Sequence, residues 1–173
     1  MSETLFADPF VSTADISPCG AYRYTLSRRW GVGPLLGWCM LNPSTADASL
    51  DDPTIRRCIG FAKGWDYGGL IVVNLFALRS TDPAALLTTT DPVGPLNDAA
   101  IIRAAEDCRE IVAAWGSHKS AHRGGRARFV AGRLAMQGRP MTCLRTSKGG
   151  HPCHPLYLPG DLPLVPYVPD SAQ

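Results

Sequence analysis

Two short apolar runs constrain this chain more than anything else in it. Residues 35–41 read LLGWCML and residues 70–75 read LIVVNL. Both are the length of a strand and lack the polar alternation of a half-exposed one, the pattern expected of strands covered on both faces of a parallel sheet. Parallel neighbours need a crossover, and the sequence between the runs supplies a helix. Asp52 stands as its N-cap, Pro53 takes the first helical position, and Ile55, Ile59 and Phe61 or Ala62 form an apolar stripe that stops near Gly64. Each run also meets polar residues at its end: Asn42-Pro43-Ser44-Thr45 after the first, Asn74 in the second. Pro43 cannot donate to a sheet ladder and biases Asn42 toward an extended backbone, so the strand is expected to stop there and fix the direction of the Asn42 amide.

The rest of the chain extends the alternation. In residues 22–30, YRYTLSRRW, the positions of Tyr22, Tyr24, Leu26 and Trp30 suggest a half-exposed strand, and Gly31-Val32-Gly33-Pro34 reads as a turn into the first buried run. The two are expected to form an antiparallel hairpin at one side of the sheet. A helix follows from Leu96 or Asn97 through Asp107, then a strand over 110–114, a helix over 127–137 and a strand over 141–144. Residues 76–95, with Asp82-Pro83 opening one short helical turn, form a long connection of the kind that contacts substrates. Residues 146–173 are dominated by Pro and Gly and predict no long element, and residues 1–18 have no period and are expected to be a loosely packed arm. With 173 residues the remainder, 19–173, is expected to be one domain around one core. The fold class is α/β: a three-layer α/β/α sandwich with a mostly parallel central sheet and an antiparallel edge hairpin strand.

Composition narrows the function classes. A formal net charge of +2 makes no electrostatic case for nucleic acid by itself. Arg123, Arg126, Arg128, Arg133, Arg139, Arg145 and Lys148 nevertheless make one segment locally basic, either a solvated helix face or a surface for a phosphate-bearing partner. The six cysteines include no C-x-x-C pair and read as free, mostly buried thiols of a reducing cytoplasm. The N-terminus carries no secretory pattern and no apolar run approaches the roughly 20 residues of a membrane span, so a soluble cytoplasmic protein without membrane partners is expected. Ser44 lacks a G-x-S-x-G elbow, there is no Walker motif, and Gly31-Val32-Gly33 precedes a strand rather than following one, so no nucleotide cofactor is implied.

In open sheets of this kind ligands bind beyond the carboxyl ends of the strands. The four tips here are Asn42-Pro43-Ser44, Asn74-Leu75-Phe76, Trp115-Gly116-Ser117-His118, and the run Lys148-Gly149-Gly150-His151. The set LNPSTADA, DDPTIRRCIGFA, VVNLFALRSTDP, AWG and KGGHPCHPLYL resembles, from about Tyr22 to Leu158, the bacterial and phage family known as domain of unknown function 1643. More distantly, the order of motifs is similar to the uracil-DNA glycosylase superfamily. That resemblance implies that Asn42 with Pro43 falls on a water-positioning motif and Asn74 on the residue that reads the base edge. It also implies that His151-Pro152 or His154-Pro155-Leu156 falls on the motif whose His stabilises the departing base. Two departures stand: Met40 occupies the place of that motif's Gly, and the histidine segment is one residue longer.

The chemistry of N-glycoside cleavage suits these residue types, since it creates an oxocarbenium-like sugar and an anionic base. Asn42 can hold the water, His151 or His154 can donate to the base, and Asp47 is either a general base or an acceptor for nearby backbone N–H groups. Ser44 and Thr45 offer hydroxyls, Asn74 a donor and an acceptor for a base edge, Phe76 or Trp115 a stacking face, and Arg79, with Arg56 or Arg57, a phosphate contact. The implied partner is nucleic acid or a nucleotide. A non-catalytic nucleic-acid or nucleotide-binding domain of the same fold is the alternative. A metal-dependent hydrolase built on His151, His154 and Asp47 is a third class, but Pro152 and Pro155 turn the imidazoles in different directions, so no metal site is assigned.

Overall fold

The computed structural model describes residues 10–169. One sheet runs through it. Its strands are β1 (Val11–Ile16), β2 (Arg23–Arg29), β3 (Leu35–Met40), β4 (Gly69–Asn74), β5 (Glu110–Ala113), β6 (Thr142–Cys143) and β7 (Val165–Pro166), in the spatial order β1-β2-β4-β3-β5-β6-β7. The four central strands, β4, β3, β5 and β6, are mutually parallel, with antiparallel β1 and β2 on one side and β7 on the other. The α-helices are α1 (Pro53–Gly64), α2 (Ala85–Thr88), α3 (Asn97–Asp107) and α4 (Arg126–Met136).

Side-chain alternation sends the two faces of the sheet to different helices. Leu36, Trp38, Met40, Leu70, Val72 and Val112 meet Ile55, Cys58, Phe61 and Ala62 of α1. Cys39, Ile71, Val73, Ile111 and Ala113 meet Ile101, Ala104 and Ala105 of α3 and Val130, Ala131 and Leu134 of α4. Trp38 is fully buried with its ring 6.1 Å from Phe61 and 6.4 Å from Trp65, and burial of side chains this size stabilises by about 1.5–3 kcal/mol each. As read from the sequence, Asp52 caps α1, its Oδ1 accepting from Ile55 N at 2.8 Å, with Pro53 at the first position.

The expected hairpin does not form. β2 pairs with β4 rather than β3, because the 31–34 linker crosses the start of β4. Trp30 N and Gly31 N both donate to Gly68 O, and Gly68 N donates to Pro34 O, each at 2.9 Å. The approach is so close that a Cβ on Gly68 would sit 2.3 Å from Gly33 N, so glycine is required there. Nor is β2 the edge. That place belongs to β1, which the reading of 1–18 as an arm without regular structure overlooked; residues 1–9 of that arm lie outside the described residues. VSTADI is half-exposed throughout and owes its strand conformation to pairing with β2.

Among the parallel strands, the second in sequence lies beside the first, and the third and fourth follow on the first strand's other side. Strand order therefore reverses between β3 and β5, where connections depart in opposite directions and leave a crevice at the carboxyl ends.

Candidate functional site

A cleft of about 550 Å³ opens at that reversal, within the size range of small-ligand sites. Its floor is formed by the tips of β3 and β4, extended by Leu75 N donating to Met40 O and Phe76 N to Leu41 O. The start of α1 makes one wall. Residues 115–118 and the segment 145–158 make the other: Gly116 N donates to Pro152 O, Ser147 N to His151 O and Cys153 N to Arg145 O. Gly116 has φ +75°, a left-handed conformation that costs glycine little and turns the chain after β5 along this wall.

Asn42 lines the cleft with a fixed amide orientation. Its Nδ2 donates to Ser80 O at 2.8 Å and Pro43 O at 3.1 Å; since carbonyls only accept, the amide oxygen is the atom left for a ligand or water. Pro43 is buried and accepts from Ser80 N, so it joins the two loops rather than contacting the cleft, which Ser44 does line. Asn74 is 2 % exposed, lines the same cavity, and its Nδ2 has no partner. The main chain around it is already bonded: Asn97 Nδ2 donates to the Asn74 and Leu75 carbonyls at 3.0 and 3.1 Å.

Both tail histidines line the cleft, with different chemistry. His154 Nδ1 accepts from Leu156 N at 3.3 Å, which leaves Nε2 as the N–H of the neutral ring. Burial holds its pKa below the usual value, partly opposed by the Asp52 carboxylate. His151 Nδ1 lies 3.1 Å from His122 Nε2, a hydrogen bond in which one ring donates and the other accepts, and burial and the neighbouring His151 lower the pKa of His122. Among the described residues no group of three or more His, Cys, Asp or Glu side chains is arranged to hold a metal ion.

Several candidates stand elsewhere. Asp47 Oδ1 accepts from Ser49 N, Ser49 Oγ and Leu50 N at 2.8–3.0 Å, a turn-forming role that lowers its pKa and leaves it out of the cleft lining. Thr45 is exposed beside it and also outside the lining. Phe76 is buried in the core between the sheet, α3 and α4. Arg79 donates to Gly20 O at 3.2 Å, Arg56 to Asp51 O and Arg57 to Leu158 O, so all three bond to main-chain carbonyls. Trp115 does line the cleft, as a buried wall whose ring meets Tyr167 edge-on at 5.3 Å.

Other residues line the cleft: Arg23 and Tyr157, to which the sequence reading gave no role, Asp52, read only as the helix cap, His118, read as part of a strand tip, and Arg145, read as part of the basic segment. Asp52 is the one carboxylate among the lining residues, with Oδ1 engaged in capping α1. Tyr157, 81 % exposed and 5.6 Å from the His154 ring, offers an open aromatic face at the rim. Arg23 is nearly buried at the floor, and burial pulls its pKa down to about 10 while Asp52 raises it.

A family profile matches residues 23–156; the family is described as a protein of unknown function, DUF1643. No curated protein matches the chain. No solved structure matches it.

Proposed function

The chain belongs to the DUF1643 family, and we propose that its cleft binds a nucleobase or nucleotide and hydrolyses the N-glycosidic bond. The observation that carries this reading is that Asn42, Asn74 and His154, from three separate segments, line one cavity at the strand-order reversal. Asn74 meets the base edge. As the C1′–N bond breaks, its electron pair remains on the base, and His154 Nε2–H donates to the base oxygen where that charge collects. A neutral imidazole is the right donor because it need not be recharged at neutral pH. The Asn42 amide oxygen orients the water that adds to the sugar carbon, and the water's surplus proton leaves to solvent. Tyr157 closes over the planar ring.

A second reading, a binding module without turnover, has one observation in its favour: Asp47 stands outside the cleft, and Asp52 is occupied by α1. One experiment separates the two. Oligonucleotides and nucleosides bearing uracil and other altered bases are incubated with the protein, and base release and binding are measured together. Under the hydrolase reading Asn42→Ala lowers turnover on the order of 100-fold with binding kept, and His154→Gln does the same. Binding without release across the panel selects the module, and neither binding nor release refutes both.

A further inference from the structure

The floor of the cleft holds a cation that has no ion-pair partner among the described residues, with the Asp52 carboxylate acting on it without direct contact. Arg23 is 3 % exposed, lines the cavity, and donates through Nη1 to Ala46 O, while its Nε has no partner. The ion pairs among the described residues are Arg28–Asp51 and Arg126–Asp98, and neither involves it. Taking a charge out of water without a counter-charge is among the least favourable arrangements a fold can adopt. A second, independent feature points the same way. Asn74 Nδ2 and Trp115 Nε1 are also buried without partners, so the orphaned polar atoms of the lining side chains are all donors. Arg145 adds a second cation to the lining, against Asp52 as its one carboxylate. The complement of such a surface is an acceptor-rich anion.

We propose that Arg23 anchors the phosphate of a phosphorylated nucleoside, taking two of its oxygens on the Nε–Nη2 edge of the guanidinium. This rests on the nucleotide reading above and narrows it, from base or nucleoside to a ligand that carries phosphate. Ala46 bonds to Nη1, which leaves the edge whose two parallel N–H groups match a phosphate. A lysine ammonium would keep the charge and lose that match. Arg23 remains charged at neutral pH even in its buried site. The phosphate has two possible sources, a free nucleotide or the end of a strand.

Calorimetry at fixed ionic strength tests this with four nucleosides, their 5′-monophosphates, inorganic phosphate, and trinucleotides with and without a 5′-phosphate. At least one monophosphate is expected to bind on the order of ten-fold tighter than its nucleoside and to be displaced by inorganic phosphate. Arg23→Gln is expected to erase that preference while nucleoside affinity stays, and Arg23→Lys to restore only part of it. Tighter binding of the phosphorylated trinucleotide than of the monophosphate assigns the strand end, and the reverse assigns the free nucleotide. Equal affinity for nucleoside and monophosphate, or a preference that survives Arg23→Gln, overturns the anchor and leaves the base reading untouched. Inorganic phosphate binding through Arg23, with no gain from any attached nucleoside, overturns the nucleotide reading and leaves the anion anchor. If Arg23→Gln does not fold, Arg23→Lys carries the comparison, and a monophosphate preference undiminished in that variant overturns the anchor.

Discussion

Strand β2 sends two buried arginines, Arg23 and Arg28, to the same loop between β3 and α1, and they are treated in opposite ways. Arg28 is 1 % exposed and fully engaged: Nε and Nη2 lie 2.9 and 2.8 Å from Asp51 Oδ1, Nη1 donates to Ser27 O at 2.9 Å, and Nη2 also reaches Asp47 O. Arg23, five positions earlier and as deeply placed, makes one side-chain hydrogen bond among the described residues, to Ala46 O. One side chain holds the loop in place. The other lines the cleft with its Nε unpartnered. Burial of an arginine therefore says little about function until its hydrogen bonds and its place are considered together: Arg57 and Arg79 also carry a buried Nε without a partner, but of these three only Arg23 lines the cleft.

The contrast is broken most directly by removing each guanidinium. Arg28→Met leaves Asp51 and the main-chain oxygens of Thr13, Ser27, Asp47 and Leu50 without their partner and is expected to destabilise by about 3–5 kcal/mol, a fall in Tm on the order of 10 °C for a chain of this size. Arg23→Met removes a buried charge that has no ion-pair partner along with one bond, and its stability is expected to stay within about 1 kcal/mol of the parent. Urea or thermal denaturation of the two variants checks this, and equal losses would erase the distinction. A smaller change sharpens it. Asp51→Asn keeps an acceptor for Arg28 but strips its counter-charge, with an expected loss of about 2 kcal/mol in denaturant and no change in ligand binding at the cleft.

The two arginines also mark what could be read from the sequence. In YRYTLSRRW the half-exposed strand was read from Tyr22, Tyr24, Leu26 and Trp30; Arg28 shares their phase and is buried like Tyr24 and Leu26, though it went unnamed, and Arg23 lies out of phase and is buried all the same. β3, β4, α1 and α3 were legible because apolar runs and the Asp52-Pro53 cap are local signals. The partner of β2 was not, because it depends on Gly68 packing against the 31–34 linker, a contact between segments far apart in sequence. Likewise Asn42 and Asn74 were named from strand ends, and His154, as an alternative to His151, from the resemblance, whereas which of Asp47 and Asp52 lines the cleft could not be told. Both read as acceptors for nearby N–H groups and both are, but the cleft wall closes around Asp52 alone.

Asp52 is also where the cleft's charge balance can be tuned with the least damage to the fold. Asparagine caps a helix about as well as aspartate, so Asp52→Asn should keep α1 within a few tenths of a kcal/mol while removing the carboxylate that acts on both Arg23 and His154. For His154, burial depresses the folded-state pKa below the ordinary 6.5 and Asp52 opposes that depression. The unfolded chain then binds its proton first as pH falls, so this group takes stability away from the fold as pH drops through 6.5 and continues to do so down to the folded-state value; above 6.5 it has no effect. Without Asp52 the folded-state value falls further and the window of lost stability widens toward lower pH. Titration of the His154 ring by NMR in parent and variant measures the shift directly. A midpoint that moved up, or did not move, would mean that Asp52 does not act on the imidazole.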